Sequence, residues 1–124
     1  MKKQILVCDD QVKVRESYKL IFEKEYDLVF AENGQYALLW LKEGNRPDLV
    51  VMDIKMPRMD GLTTLKELKK IQPELPVLIV TGYDCVDTAT AALQAGAFDY
   101  LVKPFDPEQI KKIVIMTAPP TDSQ

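Results

Sequence analysis

Five side chains of complementary chemistry stand at the ends of apolar runs. Asp53 closes Leu49-Val50-Val51-Met52, Asp9-Asp10 follow Ile5-Leu6-Val7-Cys8, Thr81 follows Val77-Leu78-Ile79-Val80, and Lys103 follows Tyr100-Leu101-Val102. A carboxylate that ends a buried strand can cap the next turn, bind a metal or act as a nucleophile. Three carboxylates brought together repel, and each resists ionisation unless a cation sits among them. The chain contains no histidine, the commonest transition-metal ligand and general base, so an oxygen-only set points to Mg2+. Such a metal attracts phosphate, Lys103 and Thr81 would bind the remaining phosphoryl oxygens, and an aspartate is a nucleophile that forms an acyl phosphate. Metal, donors and nucleophile together suit phosphoryl transfer. Singly, the pieces have plainer roles: Asp9-Asp10 as a helix cap, Lys103-Pro104 as loop punctuation, Thr81-Gly82 as the start of a turn. Their joint placement carries the argument.

That placement requires strands that all run the same way. Strand-like runs at 5–8, 28–31, 49–52, 77–80 and 100–102 recur about 20 to 30 residues apart, a βαβ rhythm. Helical patterns lie between them. Val14, Tyr18, Ile21 and Phe22 share one face, as do Val86, Thr90 and Leu93, and Ile110, Ile113 and Val114 mark the last helix. The run Tyr36, Leu38, Leu39, Trp40, Leu41 follows Gly34, and its aromatics are expected in the core. Gly44, Asn45 and Pro47 should end that helix, and Gly96 the fourth. Asp106, Pro107 and Gln109 supply an N-cap, a first-turn proline and a capping-box partner for the fifth. Near-continuous Val, Ile and Leu in the strands fits a parallel sheet covered on both faces, a doubly wound α/β fold. In such a sheet ligands bind beyond the carboxyl ends of the strands, where the five side chains lie.

With 124 residues, 47% of them hydrophobic, the chain suits one domain over residues 1–117. Residues 118–124, which lack periodicity, read as a tail or the start of a linker. Sixteen basic against 19 acidic residues leave a net charge of −3, so no direct nucleic-acid binding is expected. Cys8 and Cys85 have no paired spacing and read as reduced thiols. The apolar run at 5–8 is too short for a signal peptide or a membrane span, so a cytoplasmic protein with no membrane partner is expected.

Asp9-Asp10, Asp53, Met56-Pro57-x-Met59-Asp60-Gly61, Thr81-Gly82, Ala95-Gly96-Ala97 and Tyr100-Leu101-Val102-Lys103-Pro104-Phe105 together resemble the receiver domain of bacterial two-component response regulators, of the CheY-like superfamily. The resemblance runs from about Lys3 to Met116. It implies a flavodoxin-like (βα)5 fold with strand order 2-1-3-4-5. It makes Asp53 the phosphoacceptor, Asp10 a direct Mg2+ ligand and Asp9 a ligand mainly through water, with the main-chain carbonyl of Lys55 completing the protein ligands. Thr81 takes the switch-hydroxyl place, Lys103 that of the family's lysine and Tyr100 that of the aromatic that turns inward on activation. The Lys103–Pro104 peptide is expected to be cis. The implied phosphoryl donor is a phosphohistidine in a sensor histidine kinase or histidine phosphotransfer protein, or a small phosphodonor. The readout face would be the fourth helix, fifth strand and fifth helix, addressed to an output domain or a downstream relay protein. Thr81-Gly82-Tyr83-Asp84 and Ala95-Gly96-Ala97-Phe98-Asp99-Tyr100 are similar to receivers of the NtrC type, whereas Lys55 is shared with stand-alone relay receivers.

The resemblance further implies that the chain is no conventional turnover enzyme and would catalyse only its own phosphorylation and slow autodephosphorylation. Lys55 and Tyr83, two residues past Asp53 and Thr81, would flank the hydrolytic water and slow that loss, unless both point to solvent. Three other classes compete. A Mg2+-dependent phosphatase of the haloacid-dehalogenase kind needs a second acid where this chain has Lys55. An FMN module needs hydroxyls and glycines where this chain has Asp9-Asp10-Gln11. A scaffold that signals without phosphorylation does not need the complete acceptor, metal and lysine set.

Overall fold

The computed structural model describes residues 2–56, 59–82 and 86–121. Ten elements alternate along the chain: β1 (Lys3–Cys8), α1 (Val12–Phe22), β2 (Tyr26–Ala31), α2 (Gly34–Lys42), β3 (Leu49–Asp53), α3 (Gly61–Ile71), β4 (Val77–Thr81), α4 (Val86–Gln94), β5 (Asp99–Val102) and α5 (Pro107–Thr117). The strands form one parallel sheet in the order β2-β1-β3-β4-β5, as the resemblance implied. β2 lies on one side of β1 and β3, β4 and β5 follow on the other, so the chain direction reverses between β1 and β3, where a doubly wound sheet opens its ligand crevice.

Strand side chains alternate between two cores. Ile5, Val7, Leu49, Val51, Leu78 and Val80 pack with Tyr18 and Phe22 of α1 and Ile110 and Val114 of α5. Leu6, Cys8, Val50, Met52, Val77 and Ile79 pack on the opposite face with α2, α3 and α4. Each fully buried aliphatic side chain contributes about 1.5–3 kcal/mol, so β1, β3 and β4 form the rigid centre. The edge strands are softer: Leu28, Val29 and Phe30 of β2 are half-buried, and in β5 only Leu101 is buried.

The Asp106 cap and the Gly96 break stand where the sequence placed them, and Asp60 adds a cap at α3. Asp106 accepts the Glu108 amide at 2.9 Å, with Pro107 in the first turn of α5, and Asp60 accepts the Thr63 amide at 2.8 Å to open α3; each cap is worth about 1 kcal/mol. Gly96 ends α4 at φ +116, a left-handed conformation that disfavours any residue with a Cβ.

Two helical faces differ from expectation. In α2 the buried side is Ala37, Leu38 and Leu41, while Tyr36 is 52% and Leu39 58% exposed and Trp40 is half-buried. In α4 the helix rests on Ala89 and Ala92, both fully buried, whereas Thr90 is exposed and Leu93 is 37% exposed. Small alanines let that helix lie close to the sheet, and a pattern weighted by large apolar residues selects the wrong face.

Candidate functional site

The sheet register builds the site. Cys8 pairs with Met52, so the residues that follow, Asp9 and Asp53, leave adjacent strands side by side. Asp53 pairs with Val80, and Thr81 with Val102, which brings Thr81 and Lys103 to the same edge. One carboxylate oxygen from each of Asp9, Asp10 and Asp53 lies within 4.8 Å of the others. Asp9 and Asp53 are 1% and 7% exposed, and Asp10 is exposed.

Backbone donors hold the two buried acids. Asp9 Oδ1 accepts the Gln11 amide at 2.9 Å, and the Arg15 guanidinium donates to the Asp9 carbonyl at 2.8 Å. Asp9 thus caps the turn before α1 and still presents Oδ2 to the site. Asp53 Oδ1 accepts the Lys55 amide at 3.2 Å. Gly61 closes the loop after β3: its amide donates to Ile54 O at 2.7 Å, and a Cβ there would meet Asp53 O at 2.6 Å and the Ile54 Cα at 2.7 Å. Only glycine lets that loop fold back over the acceptor strand.

The Lys103 ammonium bridges the acids, 3.2 Å from Asp9 Oδ2 and 3.1 Å from Asp53 Oδ2. Its amide donates to Thr81 O at 2.6 Å, and the Lys103–Pro104 peptide is cis. Burial opposes the charge on Lys103, but Asp53 and Asp9 outweigh it, and the ammonium is held above the usual lysine range. Asp53 is shifted the other way in energetic terms. Burial pushes its carboxyl up, the Lys103 charge and hydrogen bond work against that, and the neighbouring Asp9 charge adds to it. The Lys103 ammonium thus does not fully offset the cost of burying the Asp53 carboxylate, and a second cation beside it would lower that cost.

The donor set fits a hard divalent ion: it is all oxygen, and Mg2+ at about 2.1 Å from each ligand accommodates oxygens up to about 4.2 Å apart. Small inward movements of the side chains from 4.8 Å would meet that limit.

Thr81 is buried, and its hydroxyl donates to Gly82 O at 3.2 Å. Tyr100 is half-buried against the core under α2, α3 and α4. Lys55 lies exposed beside Asp53. Tyr83 falls outside the described residues, as do Pro57, Arg58 and Cys85. Sequence pattern marks neither Arg15 nor the steric role of Gly61: Gly61 stands in the Met59-Asp60-Gly61 stretch, but nothing in spacing alone marks an arginine that binds a main-chain carbonyl.

Fold and site define a class: a doubly wound α/β domain that presents an acid triad and a bridging lysine at the carboxyl edge of a parallel sheet. The chain belongs to the response regulator receiver domain family, whose model matches residues 5–115. It is 42% identical over 112 residues to the regulatory protein AtoC of Escherichia coli strain K12, covering 90% of this chain and 24% of that protein. Over 111 residues it is 43% identical to the response regulator MprA of a Mycobacterium species (strain KMS), 89% of this chain and 48% of that one. A response regulator receiver domain from Clostridium thermocellum superposes with a TM-score of 0.85 at 32% identity, covering 93% of both chains. NtrX from Brucella abortus superposes at 0.86 and 34% identity, over 94% of this chain and 27% of that one. The chain therefore spans about a quarter of AtoC and about a half of MprA. As a receiver domain of two-component response regulators it is a phosphoacceptor module, and the phosphatase alternative finds no support. Among the described residues no helix is long and apolar enough to cross a membrane.

Proposed function

We propose that Asp53 is the phosphoacceptor, that Asp9, Asp10, Asp53 and the Lys55 carbonyl hold Mg2+, and that Lys103 and Thr81 bind the transferred phosphoryl group. The observation that carries this assignment is the Lys103 ammonium held at 3.1 and 3.2 Å between two buried carboxylates, one of which ends β3. A carboxylate oxygen of Asp53 attacks the phosphorus of a phosphohistidine in a sensor kinase or phosphotransfer protein. The P–N bond breaks as the O–P bond forms, and the donor imidazole leaves with its electron pair and takes up a proton. When bound, Mg2+ offsets the charge shared by carboxylate and phosphoryl group. Lys103 follows the new oxygens because its ammonium already reaches Asp53, and orientation before reaction lowers the entropic part of the barrier. The Thr81 hydroxyl exchanges Gly82 O for a phosphoryl oxygen, and half-buried Tyr100 moves into the space it leaves, so a local charge change biases a surface of two arrangements.

Incubation with an isotopically labelled small phosphodonor and Mg2+ tests the assignment. The parent chain should gain a base-labile acyl phosphate and Asp53→Asn should gain none; equal labelling of the two would sink it. The same label measures lifetime. On the reading that Lys55 would pair with the phosphoryl group and Tyr83 would obstruct in-line water, Lys55→Ala and Tyr83→Ala should shorten the phosphoryl half-life, and unchanged half-lives would remove both residues from that role. A further relative, 44% identical over 108 residues, is the transcriptional regulatory protein ZraR of Klebsiella oxytoca, and we infer that this receiver likewise governs an output domain or a relay partner, without contacting nucleic acid itself. Binding of a DNA duplex by the isolated receiver would contradict that division of labour.

A further inference from the structure

We propose that Tyr18 is a positioning residue that holds Lys103 in register with Asp9 and Asp53. The inference deepens the phosphoacceptor assignment and rests on it. Lys103 reaches both carboxylates from the turn between β5 and α5, and that turn is largely open to solvent: Pro104, Asp106 and Pro107 are exposed. On its α1 side lies a hollow of about 400 Å³ lined by Val14, Ser17, Ile21 and Phe105 among others. Main-chain anchorage comes from β4, through the 2.6 Å bond from the Lys103 amide to Thr81 O.

From the opposite side the solid contact is a ring. Tyr18 of α1 is 1% exposed, and its ring centroid lies 5.6 Å from that of Phe105 at a tilt of 33°. Tyr18 is itself stacked on Phe22 at 6.5 Å and 16°, so Phe105 rests on a backed surface. The phenol also lies within electrostatic reach of the site: burial first, then the charges of Asp9 and Asp53, push its ionisation well above the ordinary tyrosine range, and it stays a neutral wedge beside the acids. A residue of aliphatic size at 18 would open space behind Phe105, which already lines the hollow. Phe105 could then retreat, carrying the Lys103 turn away from β3. Because the ammonium sits at 3.1 and 3.2 Å from its two partners, a shift of about 1 Å would break the bridge, and such displacements cost up to about 100-fold in rate.

The test compares labelling rates from a small phosphodonor with Mg2+ for the parent chain, Tyr18→Phe, Tyr18→Leu and Phe105→Leu, with thermal unfolding to verify the fold. Tyr18→Phe keeps the ring and should stay within about twofold of the parent, whereas Tyr18→Leu should be slower by about tenfold. If Tyr18→Leu does not fold, Phe105→Leu interrogates the same contact from its other side. The decisive measurement repeats the leucine substitution in a Lys103→Ala background. A residue that acts through Lys103 has nothing left to position there, so no further slowing is expected. Equal slowing in both backgrounds, a parent-like rate in Tyr18→Leu, or a Tyr18→Phe rate as low as that of Tyr18→Leu would overturn the proposal. These outcomes are separate from the underlying assignment, which stands or falls on whether Asp53→Asn abolishes the parent's label.

Discussion

The two edges of the sheet are stitched differently. At the amino-terminal edge, side chains bond to backbone. Asp48 accepts the Gln4 amide at 2.8 Å, Gln72 donates to Asn45 O and Asn45 to Trp40 O, each at 2.8 Å, Lys69 donates to Leu75 O at 2.7 Å, and the Tyr26 hydroxyl donates to Ala118 O at 2.6 Å. At the carboxyl edge, ionised side chains meet one another: Lys103, Asp9 and Asp53, with Asp10 beside them. The contrast is not one of missing bonds, since among the described residues no buried side-chain polar atom lacks a partner. It is one of charge. The amino edge is bonded for stability, whereas the carboxyl edge keeps an excess of buried negative charge that a cation would offset.

The largest effect that separates the edges is a change of sign at Asp53. Its carboxylate is buried at a net electrostatic cost, so Asp53→Asn should remove acyl-phosphate labelling by a factor of about 100 or more and raise the melting temperature in Mg2+-free buffer by about 3 °C. Activity and stability would then move in opposite directions. A lower melting temperature would mean that the lysine bridge outweighs the burial cost, and the contrast between the edges would fail.

Lys103→Ala probes the same imbalance from the cation side. It leaves Asp9 and Asp53 facing each other without a counter-charge, a loss of about 2 kcal/mol given that the lysine is partly solvated. Mg2+ at about 100 times its dissociation constant returns about 2.7 kcal/mol to any folded state that binds it, so the variant should be rescued by Mg2+ and destabilised by a chelator. Asp10→Asn should blunt the Mg2+ response of the parent chain. Thermal unfolding with and without the metal measures all three, and an undiminished response in Asp10→Asn would remove Asp10 from the ligand set.

At the opposite edge, Tyr26→Phe keeps the ring and deletes only the hydroxyl that Ala118 O accepts. Leaving that carbonyl without its donor costs about 1 kcal/mol, a few degrees of melting temperature, while the labelling rate should match the parent. A slowed rate would show that the amino edge reaches the chemistry after all.

Much of this was legible in the sequence because the strands are short, continuous apolar runs, and the first polar residue after each must emerge at one edge of a parallel sheet. Asp9, Asp53, Thr81 and Lys103 could be placed together on that ground alone. Helix faces were less legible: Ala89 and Ala92 bury completely but carry little hydrophobic signal, and Tyr36 and Leu39 carry a strong one yet point outward. Contacts made through backbone atoms, such as Arg15 on Asp9 O or Gly61 against Asp53 O, have no signature in side-chain pattern. The bridge from Lys103 to both acids depended on three strand ends and one turn, information that spacing does not contain.

The smallest effect at ordinary pH distinguishes the edges by the direction in which protons act. Burial, with a contribution from Glu25, pushes the Tyr26 phenol from 10.0 up to about 12. Above pH 10 the unfolded chain loses that proton before the folded one does, so the contribution of Tyr26 to stability is complete below about pH 10 and declines as pH rises toward 12. Asp53 is also raised, but its titration falls on the acid side: the native carboxyl takes up a proton before the unfolded one, and its unfavourable contribution shrinks as pH falls through the folded value. Denaturant unfolding across the pH range in Mg2+-free buffer resolves the two as differences from variants. The parent minus Tyr26→Phe should fall with rising pH only in alkali, and the parent minus Asp53→Asn should rise with falling pH only in acid. If the second difference instead declined in acid, the Lys103 bridge would dominate Asp53, and the carboxyl edge would be held together by the same balance of forces as the amino edge.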